Sequence, residues 1–249
     1  MSRSGFALGK LPKKPDRRNL RLENYVSLEE LPIIPSSTDW TLWVKKFGMF
    51  RNDRLGDCTC AAHAHGIQAR SANSRGQSAM VTVADASVVA MYSAISGYDP
   101  SNPATDRGAY CLDALKFMRS TGLEGHKIEA FAEVNPRHQA MVRAAIWLFG
   151  GLYIGATLHD SIWDSPVWDA PKPGDPVAGG HALWLCADSA DRLTVATWGS
   201  KQPVTWDWLD SCCDEAYACI GADWFDGLGQ CPPGFGLNEI RADLTTVTA

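Results

Sequence analysis

Apolar and small residues recur at helical spacing through the first part of the chain. Cys58 begins a run of small residues that predicts a buried helix. Farther on, Leu112, Leu115 and Met118 lie at helical spacing, and Gly122 follows them as a C-terminal stop. Asn135-Pro136 has the capping residue and proline typical of a helix start. The predicted helices span residues 58–72, 84–95, 108–120 and 135–149.

After residue 150 the pattern changes to short apolar runs separated by Gly, Pro and Asp, which is typical of strands. The predicted strands span residues 152–158, 181–187, 193–198 and 216–222, with a short helix over 205–213. Helices therefore come first and strands second, which favours an α+β fold with segregated elements. We expect a mainly helical half over residues 41–150, a mainly strand half over 151–249, and a cleft between them.

Residues 1–40 are rich in Pro, Lys, Arg and Ser and show little periodicity. They predict an extended N-terminal arm that wraps the body of the protein and is not a separate domain. The one basic run, Lys10 to Arg21, lies in this arm, and we expect it to be solvated rather than to form a binding patch.

Composition places the protein in the ordinary globular class, with 45% hydrophobic and 20% charged residues. The net charge of −5 gives no indication of a nucleic-acid or anionic-membrane partner. No apolar stretch approaches the roughly 20 residues that span a bilayer, and the N-terminus lacks the apolar core of a secretory signal. Eight cysteines in this context indicate reduced thiols and a cytoplasmic location.

Two segments carry candidate chemistry. Cys58 follows a glycine-containing turn and begins the first predicted helix, whereas His181 follows two glycines at the start of a predicted strand. Unpaired N–H groups and the positive end of the helix dipole favour a thiolate at a helix N-terminus. An imidazole across the cleft would complete a cysteine nucleophile with its general acid and base. Asn52, six residues before Cys58, carries an amide that can donate to an oxyanion together with the Cys58 backbone N–H.

These residues resemble the motifs of papain-like cysteine peptidases. Asn52–Ala62 resembles the nucleophile region, most closely that of bacterial and phage-encoded members in which Thr and small residues follow the cysteine. Gly179–Ala182 resembles the histidine motif of the family, and Thr197–Gly199 resembles its Ser-Trp-Gly motif. Asp106–Gly122 and Val142–Leu158 fit elements between these motifs, so the resemblance covers most of the chain from about residue 39.

The resemblance implies a papain-like fold, with a helical half, a barrel-like strand half and the site in the cleft between them. It implies hydrolysis of peptide bonds, with Cys58 as nucleophile, His181 as general acid and base, and Asn52 in the place of the family's oxyanion glutamine. The implied partner is a peptide or protein substrate, and no cofactor or metal is expected. The tryptophan of the third motif, here Trp198, is expected to cover the histidine.

The chain departs from the family pattern at the residue that orients the histidine. The family's asparagine stands two residues before the tryptophan, where this chain has Ala196. Because alternate residues of a strand share a face, Thr197 is predicted to point away from the site. Asp188, Asp207 and Asp214 are the alternative orienting groups.

Two further departures concern the oxyanion donor and the prosegment. Asn52 is one methylene shorter than glutamine, so its amide is expected to fall short by roughly a bond length. The arm of about 40 residues is shorter than the family's helical inhibitory prosegment, so a peptidase of this kind is expected to be controlled in some other way.

Three other interpretations are open at this stage. A buried, inert thiol is the common state of a free cysteine. A papain-like domain that has lost its activity would serve as a structural or binding protein, such as a virion component or a phage-encoded accessory protein. Cys58, Cys60, His63 and His65 also suggest a zinc site, but Cys58 and His65 lie nearly two helical turns apart, so the four groups do not converge on one ion.

Overall fold

The computed structural model describes residues 6–75, 79–224 and 231–233. Its helices are α1 (Cys58–Arg75), α2 (Asp85–Ser96), α3 (Cys111–Ser120), α4 (Gln139–Phe149) and α5 (Trp206–Cys212). Its strands are β1 (Leu20–Arg21), β2 (Thr38–Asp39), β3 (Ile128–Glu133), β4 (Leu152–His159), β5 (Val177–Asp188), β6 (Leu193–Thr197), β7 (Ser200–Val204) and β8 (Cys213–Gly221).

The eight strands of the described residues join one sheet in the order β1-β3-β8-β4-β5-β6-β7, and β2 pairs with β5 outside this path. The β1–β3 pairing is parallel and the remaining pairings are antiparallel. A β-bulge interrupts the β4–β8 ladder between Gly155 and Ala156. Because side chains alternate across a strand, the sheet presents two different faces to two different cores.

One face of the sheet packs against the helices of the first half. Trp184, Ala196 and Tyr217 project from this face into a cluster with residues of α1, α2 and α3. Leu183, Leu185 and Val195 project from the opposite face into a second cluster, which includes residues of α4 and α5. The resulting arrangement is the expected α+β fold with a helical half and a strand-rich half.

The helices and strands predicted in the sequence are present, with local differences in their ends. The fourth helix begins at Gln139 rather than at Asn135-Pro136. The Asn135 side chain accepts a hydrogen bond from the Arg137 amide at 3.1 Å, and its carbonyl accepts one from His138 at 3.0 Å. These bonds close a turn before the helix begins. The last predicted strand begins earlier, at Cys213.

The N-terminal arm contributes to the sheet and crosses the molecule at several places. Its two-residue strands β1 and β2 extend β3 and β5. Closer to the N-terminus, Lys10 forms a parallel bridge with Ala109, just before α3.

Within the part of the chain that is described, no helix is long and apolar enough to cross a membrane.

Candidate active site

Cys58 is the first residue of α1, at the end of a tightly held turn. The carbonyl of Asp57 accepts the opening helical hydrogen bonds, from Cys60 at 2.8 Å and Ala61 at 3.0 Å. The preceding Gly56 amide donates to the Asp106 carboxylate at 3.1 Å. These contacts fix the direction in which the chain enters α1, and they place the thiol at the positive end of an 18-residue helix.

The N-terminal arm covers this thiol. Lys10 donates its amide to the carbonyl of Gly180 at 3.0 Å, and Ala109 donates to the carbonyl of Gly9 at 2.8 Å. A Cβ atom on Gly9 would overlap the carbonyl of Gly56, so the arm backbone lies directly against the turn before Cys58. The thiol is consequently only 1% exposed. The two glycines before the histidine lie against the arm, and a Cβ atom on Gly180 would overlap the carbonyl of Lys10.

Burial determines the protonation state of Cys58. It raises the pKa of the thiol to about 11, although the nearby backbone N–H groups of Ala182 and Gly9 act in the opposite direction. The expected thiolate is therefore wrong for this conformation, because the loss of solvent under the arm outweighs the helix N-terminus. The contact with Ala182 also shows that the fold brings the sulfur against β5 beside His181.

His181 is fully buried, and burial lowers its pKa to about 3. Its ring stacks on Trp198 with centroids 4.3 Å apart, which confirms the expected tryptophan cover. Phe6 of the arm also stacks on the Trp198 ring, with the two ring centroids 4.8 Å apart. With a neutral thiol and a neutral imidazole, the two groups do not form an ion pair while the arm is in place.

Thr197 holds the imidazole, and the prediction that it points away from the site is wrong. Its hydroxyl lies 2.6 Å from Nε2 of His181. Ala196 pairs with Trp184, and both side chains enter the cluster under α1. His181 and Thr197 alternate with these residues and therefore share the other face of the sheet. Ala196 and His181 therefore lie on opposite faces of the sheet.

The aspartates considered as orienting groups have other surroundings. Asp188 lies 2.9 Å from Nε of Arg143, and Asp214 lies 2.8 Å from Nζ of Lys10. Asp207 is an exposed residue in the first turn of α5. The second ring nitrogen of His181, Nδ1, is buried and has no hydrogen-bond partner among the described residues. Nδ1 is therefore the ring nitrogen that the Thr197 hydroxyl does not engage.

Asn52 is buried beside the turn, and its amide has an internal partner. Nδ2 donates to the carbonyl of Leu55 at 3.0 Å. The neighbouring Asp57 carboxyl has a pKa well above its ordinary value because of burial, and the Asn52 side chain opposes that shift. In the covered conformation Asn52 therefore supports the turn that leads to Cys58.

The histidines of α1 do not converge on a metal ion. Nε2 of His65 lies 2.8 Å from the carbonyl of Gly48, whereas His63 stacks on Tyr153 with centroids 4.1 Å apart. No group of three potential ligands forms a metal site within residues 6–75, 79–224 and 231–233.

Lys10 has a partner that the sequence analysis missed. The expectation of a solvated basic run is wrong at this residue, whose side chain is 2% exposed and ion-paired with Asp214 and Glu215. The basic residues farther along the run are mostly exposed. The pairing joins residues more than 200 positions apart, and no local signal marks it.

Comparison with solved structures identifies the fold. Xylellain, a cysteine protease from Xylella fastidiosa, superposes with a TM-score of 0.67 and 15% identity, over 88% of this chain and 97% of that chain. ProCathepsin B S9 from Trypanosoma congolense superposes with a TM-score of 0.60 and 11% identity, over 86% of each chain. The Carica candamarcensis cysteine protease CMS1MS2, in complex with E-64, superposes with a TM-score of 0.51 and 13% identity, over 75% of this chain and 99% of that chain.

No protein-family model matches the sequence, and no curated protein is detectably similar to it. The low identities to the solved structures establish architecture alone. The protein therefore has the papain-like fold, in which the thiol at the start of α1 lies against the strand that carries His181.

Proposed function

We propose that the protein is a cysteine peptidase that uses Cys58 and His181, and that its N-terminal arm holds it in a latent state. The observation that carries the proposal is the contact of the Cys58 sulfur with the backbone of Ala182, next to a histidine whose Nε2 is already hydrogen bonded to Thr197. The papain-like fold, which cysteine proteases of very different sequence share, supports the same chemistry.

Displacement of the arm returns water to both groups. Solvation removes the burial that keeps the thiol protonated and the imidazole neutral, so the proton can pass from Cys58 Sγ to His181 Nδ1. The helix N-terminus then stabilises the thiolate, and Trp198 and Thr197 hold the imidazolium in place. The arm therefore controls both access and protonation.

Peptide hydrolysis follows in two stages. The thiolate attacks the carbonyl carbon, and the oxyanion that forms is stabilised by the backbone N–H of Cys58 and by Asn52, once its amide leaves the carbonyl of Leu55. The C–N bond breaks as His181 gives its proton to the leaving amine. Water, deprotonated by His181, then attacks the thioester and releases the carboxylic acid and the free thiol.

The test is hydrolysis of a denatured protein such as casein by a variant in which the arm is displaced, Gly9→Ala. We expect activity that Cys58→Ala and His181→Ala each lower by about 10³-fold or more. The matched control is Cys60→Ala, because Cys60 is an equally buried thiol of the same helix. No hydrolysis by a folded Gly9→Ala protein over a broad set of protein substrates would contradict the proposal.

The sealed thiol also favours a second candidate, a papain-like domain that acts as a structural or binding protein. That candidate predicts that Cys58 of the arm-displaced variant reacts with iodoacetamide no faster than the other thiols, whether or not His181 is present. A phage origin, a role in a virion and a cytoplasmic location remain predictions from the sequence.

A further inference from the structure

The side chain of Lys10 fills a pocket that the body of the protein provides. Nζ lies 2.8 Å from Oδ2 of Asp214 and 3.2 Å from Oε1 of Glu215. The Glu215 side chain is 1% exposed and that of Asp214 is 37% exposed. One carboxylate therefore lies at the closed end of the pocket and the other at its rim.

Gly155 makes room for the long side chain. A Cβ atom at this position would overlap Cε of Lys10 and would lie 2.8 Å from Cγ of Glu215. The absence of a side chain at Gly155 thus creates a channel about as wide as an aliphatic chain, leading to the buried carboxylate.

The strand register places this pocket close to Cys58. Gly155 pairs with Ala182 on one side and with Glu215 on the other. Neighbouring strands are about 4.8 Å apart, so Glu215 lies about 10 Å across the sheet from the position that contacts the sulfur. Lys10 directly follows Gly9, whose backbone N–H also reaches that sulfur. A chain that crosses the site as the arm does therefore delivers a side chain into the pocket.

The pocket is suited to a positive charge. Oε2 of Glu215 accepts a hydrogen bond from Tyr217 at 2.8 Å, whereas Oε1 has no hydrogen-bond partner among the described residues and faces the lysine. Burial disfavours the charge on Lys10, but attraction to Glu215 and Asp214 outweighs it and raises the lysine pKa. A neutral occupant would leave a buried carboxylate without a counter-ion.

We infer that, once the arm has left, the Lys10 pocket is a specificity pocket that selects peptides with a lysine or arginine side chain near the scissile bond. The inference rests on the proposed function, because it assigns a substrate class to the same site. In the closed protein the arm occupies the pocket with Lys10, a side chain of the class that the pocket selects.

The first experiment measures binding and does not need catalysis. A peptide with the sequence of residues 6–11 is added to Gly9→Ala protein, and protection of Cys58 from iodoacetamide is followed by mass spectrometry. We expect the lysine peptide to protect, and the same peptide with norleucine in place of lysine to need a concentration about 30-fold higher or more. Equal protection by the two peptides would overturn the inference.

The second experiment uses pocket variants in the same protein. Glu215→Gln keeps the volume and an acceptor for Tyr217 but removes the charge, and it is expected to abolish the preference for lysine over norleucine. Gly155→Ala obstructs the channel and is expected to weaken the binding of both the lysine and the norleucine peptide. Asp210→Asn is the matched control, because it removes the charge of an exposed acid of α5 and not that of a buried one. A lysine preference that survives Glu215→Gln would contradict the assignment.

Profiling of cleaved peptides separates this inference from the proposed function. Hydrolysis by Gly9→Ala protein without any preference for basic residues would overturn the pocket assignment and leave the peptidase intact. Lysine-dependent protection of Cys58 without hydrolysis would support the pocket and overturn the peptidase.

Discussion

Replacement of Gly9 by alanine is the smallest change that displaces the arm. The added Cβ would overlap the carbonyl of Gly56, so the backbone of residues 9–11 must move off the turn. Three hydrogen bonds depend on its present position: Ala109 to Gly9 at 2.8 Å, Lys10 to Gly180 at 3.0 Å, and Leu11 to Ala109 at 3.0 Å. We expect Gly9→Ala to uncover Cys58 without altering the body of the protein.

The size of the effect follows from these bonds. A net contribution of about 1 kcal/mol for each gives about 3 kcal/mol in favour of the closed arm. That free energy corresponds to a change of about 100-fold in the open population. The rise of the Cys58 pKa to about 11 under the arm indicates, independently, a thiolate fraction lower by about two orders of magnitude than that of an ordinary thiol.

The assay is the rate of iodoacetamide alkylation of Cys58, followed by mass spectrometry of its peptide in native protein at pH 7.5. We expect the rate to rise about 100-fold in Gly9→Ala protein and to remain unchanged in Arg17→Ala, which alters an exposed residue of the same arm. The buried thiol of Cys186 serves as an internal reference for global unfolding. A folded Gly9→Ala protein in which Cys58 reacts within about threefold of the wild-type rate would refute the arm as the seal.

Three other substitutions test individual parts of the site. In the Gly9→Ala background, Thr197→Val is expected to lower kcat by about 10-fold or more and to shift the pH profile of kcat. Thr194→Val on the same strand is expected to change neither. Equal kcat values for the Thr197→Val and Thr194→Val proteins would contradict the role of Thr197 in positioning His181. Ala196→Asn, which restores the family residue, is expected to lower the free energy of unfolding by about 2–4 kcal/mol without raising activity, since position 196 is fully buried in the cluster under α1; an active, equally stable variant would refute this. Burial lowers the pKa of His63 to about 3, so the unfolded chain takes up its proton near pH 6.5 while the folded protein does not, and stability falls as the pH drops below 6.5. The free energy of unfolding, measured with urea at each pH between 7 and 4, should fall less steeply with decreasing pH in His63→Phe, by about 1.4 kcal/mol per pH unit. The same pH dependence in His63→Phe and the wild-type protein would contradict the assignment.

Local patterns in the sequence were enough to predict most of the helices and strands. Helices α1, α2 and α3 were predicted because their periodicity and stop signals lie within each segment. Strand β3 was missed although Ile128, Ala130 and Ala132 alternate with polar or larger residues, which is a usable signal. Strand β7 lacks such a pattern, because its sequence includes Lys201, Gln202 and Pro203.

The site was predictable only as far as its motifs reach. Cys58 and the strand of His181 meet as the sequence suggested, but the protonation of both groups depends on an arm whose docking is not encoded locally. The roles of Thr197 and Glu215 depend on sheet register, since a shift of one residue exchanges the faces of a strand. Register is settled by the whole sheet, so neither residue stands out in the sequence alone.

The pH dependence of Cys58 alkylation in Gly9→Ala protein tests the central claim most directly. A Cys58–His181 ion pair predicts a reactive thiolate well below the ordinary thiol pKa of about 8.5, and a return to that value in the His181→Ala double variant. A single titration near 8.5 that is the same with and without His181 would contradict the account.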